Sequence, residues 1–146
     1  MQTMTRLIAA AAIFSIPALA GGFWLQLGNP GASTEAQAMR AVVTVMPVGC
    51  HNPAEAMVTA TAEGVVDGKR TSLPVKVVPL GRPGFHGIAR QWPAEGRWTL
   101  RVVAEYSGAT TSALIPVRGA TADRQRAKYL KGTAGEGDVA ALLASN

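Results

Sequence analysis

Cys50 and His51, side by side, are the residues whose types most readily do chemistry in this sequence. A thiolate and an imidazole are the donors that Cu(I) and Zn(II) prefer, and Met46 and Met57 offer thioethers on either side. Successive strand side chains diverge, so two adjacent donors reach one ion only from a loop. Gly49-Cys50-His51-Asn52-Pro53 has the composition of such a loop. A third donor has to come from Met46, Met57 or His86. The expected alternative to a plain binding role is therefore copper or zinc handling by Cys50, His51, His86 and Met46. The spacing matches no established metal site, and it favours a plainer reading: a small cysteine at a strand end beside a surface histidine. On that reading no cofactor is expected.

Arginine supplies the second candidate chemistry. Arg97, Arg101, Arg124 and Arg126 are read as a basic face for a partner protein or an anionic surface, with Arg90 and Lys128 nearby. No stacking aromatics accompany these charges in the pattern that single-stranded nucleic acid requires, and nucleic acid is not expected as a partner. Catalysis finds no support. The two histidines lie in no nucleophile motif, the glycines do not open a helix after a strand, and the carboxylates show no paired pattern. The chain reads as a non-enzyme.

Residues 1–20 carry an address. Arg6 precedes an apolar run from Leu7 to Ile16, Pro17 breaks it, and Ala18-Leu19-Ala20 gives small residues where a signal peptidase reads. The run is about half the roughly 20 residues of a bilayer crossing. A signal peptide cleaved near Ala20 is expected, with a periplasmic or secreted product that has no membrane-spanning helix. A lone cysteine in an oxidising compartment would then have no partner within the chain.

The elements that must position these residues are short β runs separated by turn residues. The whole chain has 146 residues, a formal charge of +5, 48% hydrophobic and 16% charged residues, which suits one globular domain. Phe23, Leu25 and Leu27 alternate before Gly28-Asn29-Pro30-Gly31, and Arg40 to Val48 is rich in valine. Asp67-Gly68 between two alternating runs is a hairpin signal, because both central residues of a type I′ turn need positive φ. Pro74 and Pro79 on the returning run remove ladder donors and predict an edge strand. In Arg97 to Tyr106, Trp98, Leu100, Val102 and Ala104 take the buried parity while Arg97, Thr99, Arg101 and Glu105 take the wet one. Ser107-Gly108 turns into Thr110 to Val117. About seven strands with regular turns predict an all-β, immunoglobulin-like antiparallel sandwich over residues 21–118. Residues 119–146 read as a basic, partly flexible tail with a short helix at 138–144 capped by Asp138.

The stretch Pro83-Gly84, then Trp92-Pro93-Ala94-Glu95-Gly96-Arg97-Trp98-Thr99-Leu100-Arg101-Val102, resembles bacterial extracytoplasmic immunoglobulin-like domains, including the YtkA-like group. The resemblance covers roughly residues 40–117, and His86 stands where that pattern carries an inward aromatic. It implies the sandwich architecture and a binding or accessory role in the envelope, with some relatives found beside copper-handling proteins.

Overall fold

A computed structural model describes residues 22–49 and 51–146. The expected signal segment and Cys50 lie outside the described residues. The chain runs through β1 (Trp24–Gly28), α1 (Thr34–Ala38), β2 (Ala41–Val48), β3 (Met57–Val66), β4 (Lys69–Val75), β5 (Val78–Pro79), β6 (His86–Ala89), β7 (Arg97–Tyr106), β8 (Ala109–Arg118), β9 (Thr121–Ala122), β10 (Lys128–Lys131) and α2 (Glu136–Ala144). Two antiparallel sheets result. The smaller has the order β1-β2-β6-β5, and the larger β10-β8-β7-β3-β4 with β9 also pairing β8. The fold is an all-β sandwich.

The turns form where the sequence dictates. Asp67 and Gly68 both have positive φ (50° and 76°), as do Ser107 and Gly108 (48° and 79°). These two hairpins bring β3 against β4 and β7 against β8, and β3 and β7 complete the sheet's centre. Trp98, Leu100, Val102 and Ala104 then face inward with Ala60, Ala62, Ile115 and Val117. Leu25, Val43, Val45 and Ile88 meet them from the smaller sheet. Trp98 lies flat against Gly64, where a Cβ would collide with its ring, and its indole N–H donates to the Glu95 carbonyl at 2.8 Å.

The run from Thr71 to Leu80, expected as one edge strand, is two. β4 ends at Val75 on the edge of the larger sheet, and β5 forms the edge of the smaller one. Each edge contains one of the two prolines, Pro74 or Pro79, as the missing N–H requires. Ten strands replace the expected seven, chiefly because residues 119–146 are built into the sandwich. β10 is the outer strand of the larger sheet, with Tyr129 opposite Ala113 and Leu130 opposite Ser112.

The C-terminal helix starts earlier than its sequence signal. Its N-cap is Gly135, and Asp138, expected at the cap, sits at the third helical position, accepting from the Gly135 amide at 3.3 Å. That bond satisfies one of the amides that a helix start otherwise leaves open. Val139 and Leu143 pack on Leu114, with Val65, Leu130 and Leu142 around them. The helix thus forms a third layer on the outer face of the larger sheet. α1 is capped by the Ser33 side chain, which accepts from the Ala36 amide at 3.2 Å. Among the described residues, no helix is long and apolar enough to cross a membrane.

Candidate functional site

β1 places Leu25 on the core side and Trp24 and Gln26 on the other, following the period of two. Trp24 is 48% exposed, a large apolar surface to leave in water. Its backbone matters as much as its side chains. Leu25 pairs with Pro47, which has no N–H, and Leu27 pairs with Val45. On the far side of β2, Val45 pairs with His86, whose other neighbour Pro79 again has no N–H. Both prolines fit one alternation only: Trp24, Gln26 and Gly28 exchange hydrogen bonds with β2. The amides and carbonyls of Leu25 and Leu27 therefore point to the open side of β1.

That open side is one wall of a groove. Next to it runs β10, whose Tyr129 has the inward parity but lies at the sheet's end, 51% exposed. Trp24, Leu25, Gln26, Leu27 and Tyr129 enclose about 410 Å³ at the apolar end. Leu27 and Tyr129 also line the adjoining, larger part of about 780 Å³, whose remaining walls include Arg118, Asp123, Arg124 and Arg126. Burial pushes the Tyr129 phenol up from its ordinary value, while the nearby Arg124 guanidinium pulls it back. Asp123 supplies a carboxylate there, engaged with the Arg126 amide at 3.2 Å. The groove therefore runs from an aromatic end to a positively charged one.

The four arginines expected to form one basic face are divided. Arg124 and Arg126 line the groove. Arg126 also donates to the Ser145 carbonyl at 2.7 Å, placing its cation at the C-terminal end of α2 where the helix dipole favours it. Arg97 is exposed at the start of β7, on the outer face of the larger sheet.

Arg101 corrects the expectation of a wet face. α2 covers that part of the sheet, and Arg101, 21% exposed, binds Glu63 at 2.7 Å and Glu136 at 3.3 Å. The Glu63 side chain is 1% exposed and also accepts from the Thr61 hydroxyl at 2.8 Å and the Ser72 hydroxyl at 3.1 Å. Arg70 reaches Glu136 at 3.0 Å and Glu63 at 3.7 Å. A buried carboxylate is tolerable only with such partners. Arg101 is thus a structural clamp between strand and helix, unsuited to a contact with an outside partner.

The expected metal donors are spread apart. His86 is half-buried on the core face of the smaller sheet opposite Val45, and burial pushes its imidazole below the ordinary histidine value against an opposing backbone bond at Gly84. Met46 follows Val45 along β2 and so takes the opposite face, beside Gln26, Thr44, Arg82 and Phe85. His86 and Met46 cannot share an ion across the sheet. His51 is exposed in the loop before β3, and Met57 is 63% exposed at the start of β3 on the other sheet. Among the described residues, no three His, Cys, Asp or Glu side chains are grouped to hold a metal.

Sequence reasoning missed Trp24, Leu27, Arg118 and Tyr129 as site residues. A tryptophan on the same parity as Gln26 was the readable signal, since that parity faces water. Nothing in residues 119–131 indicated that β10 would stand beside β1. No family model matches this chain, and neither does any curated protein or solved structure.

Proposed function

We propose that this chain is an exported, non-enzymatic binding module of the cell envelope that engages an anionic partner through the groove beside β1. The observation carrying this reading is the juxtaposition of two exposed aromatics, Trp24 and Tyr129, with Arg118, Arg124 and Arg126 along one open channel. Aromatic rings with polar tips and arginines are the side chains that contribute most at binding surfaces. The three-part segment at residues 1–20 supports export, and the resemblance to extracytoplasmic immunoglobulin-like domains supports an accessory role.

The test is titration of the purified protein with polyglutamate and, separately, with a linear polyuronate, read through tryptophan emission. Two exposed ion pairs contribute about 0.5–1 kcal/mol each, so Arg118→Ala with Arg124→Ala should weaken binding about tenfold. Arg97→Ala, outside the groove, should change it less than about twofold. Equal losses in both variants, or none in either, would remove the groove from the function.

A further inference from the structure

A sheet edge is a row of open donors and acceptors, and folded proteins guard such rows with proline, lysine or extreme shortness. Four of the five edge strands among the described residues are guarded in that way, β9 by being only two residues long. β4 carries Lys69, Arg70 and Pro74. β5 is two residues long and contains Pro79. β10 has lysine at both ends, Lys128 and Lys131. β1 reads Trp24-Leu25-Gln26-Leu27-Gly28 and is the one edge strand longer than two residues, among the described residues, with neither proline nor charge.

We infer that β1 is the receptor strand for an extended, acidic polypeptide segment of a partner, which adds to the smaller sheet as a fifth strand. This inference rests on the groove's role in binding and names its occupant. The outward amides and carbonyls of Leu25 and Leu27 supply the main-chain bonds, spaced for a strand along about 17 Å of edge. Among the described residues, none of their backbone groups bonds to the backbone of another loop. Trp24 and Tyr129 flank the apolar end, which takes β-branched side chains of the segment. Arg118 and Arg124 stand at the other end, where the segment's carboxylates belong. Asp123 is the one carboxylate lining that end, against three arginines, so the field there stays positive and selects an anion. A second copy of this chain pairing through its own β1 would bring no carboxylate strand to those arginines, because Trp24 to Gly28 contains none.

The experiment uses a synthetic peptide with glutamates in one half and alternating valine and threonine in the other. Two derivatives carry backbone N-methyl groups on one or the other set of alternate residues. Addition to β1 predicts that one derivative loses at least about tenfold in affinity, while the other stays within about threefold of the parent. Equal binding by both derivatives would overturn strand addition. If polyglutamate and polyuronate still bound through Arg118 and Arg124 in that case, the anionic groove would stand without it. Failure of every acidic ligand to bind would end both readings. Leu27→Pro, which removes an outward donor and no bond to β2, should reproduce the loss in protein whose circular dichroism is unchanged. The peptide derivatives decide the matter should that variant fail to fold. A dimer in sedimentation that forms without peptide and is abolished by Gln26→Lys with Leu27→Lys would assign the edge to a second copy and overturn the proposal.

Discussion

Removing the Glu63 carboxylate should be among the most damaging single changes in this protein. In Glu63→Ala, Arg101 loses its 2.7 Å partner and the Thr61 and Ser72 hydroxyls lose their acceptor inside a closed layer. Breaking a buried ion pair from one side costs about 3–5 kcal/mol, because the remaining charge stays out of water. Arg101 keeps Glu136 at 3.3 Å and is 21% exposed, which places the expected loss at the low end, about 3 kcal/mol. With a urea m-value of about 1.5 kcal/mol/M, the midpoint should fall by about 2 M. Glu63→Gln keeps the shape and one acceptor oxygen and should lose about half as much. The two residues form a unit, so Glu63→Ala and Arg101→Ala should be non-additive, with a coupling of about 1.5 kcal/mol or more. Urea unfolding followed by tryptophan emission measures all of these. A loss below about 1 kcal/mol for Glu63→Ala, or strict additivity with Arg101→Ala, would refute the assignment of this cluster as the clamp between strand and helix.

Gly64→Ala forces a methyl group into the face of Trp98 and should cost about 2–3 kcal/mol by the same urea assay, with a blunted near-ultraviolet circular dichroism signal from the displaced indole. Thr99→Val should do the reverse, raising stability by about 1 kcal/mol, because the Thr99 hydroxyl is buried on the face that α2 covers and has no hydrogen-bond partner among the described residues. Acid should weaken the fold in two windows: His86, pushed down by burial, contributes stability above its unfolded value of 6.5 that is lost as pH falls through its folded value, and Asp138, held down chiefly by its bond to Lys128, does the same below 3.8. Thermal unfolding across pH 7 to 3 checks this, and His86→Phe should flatten the upper window only.

What could be read beforehand were features whose cause is local. Asp67-Gly68 and Ser107-Gly108 announce their hairpins because positive φ is a property of two residues and needs no distant partner. Trp98 announces its burial because alternation over ten residues fixes a face. The same alternation misled about Arg101 and Thr99. Parity says only which side of the sheet a residue takes, and whether that side is wet depends on a helix that begins 35 residues after Arg101. Glu63 was illegible for the same reason, since its parity is shared with Thr61 and Val65 and its burial comes from α2. In the basic C-terminal segment, Lys128-Tyr129-Leu130-Lys131 is too short to distinguish a strand from a loop by periodicity, and its pairing with β8 is a long-range event.

The third layer also explains why the positive charge of this protein is less available than its composition suggests. Arg101 and Arg70 are held by Glu63 and Glu136, Lys128 by Asp138 at 2.9 Å, and Arg126 by the end of α2. All of these contacts except the Arg101–Glu63 pair also anchor the helix, so the C-terminal segment helps neutralise the outer face of the larger sheet as it covers it. Arg118 and Arg124 make no ion pair among the described residues, and they stand beside an edge strand that bears no charge of its own. A surface basic throughout would attract anions without orienting them. In the proposed strand addition, two unpaired arginines at one end of an aromatic groove would give the attraction a direction, and the open amides of β1 would give it a register.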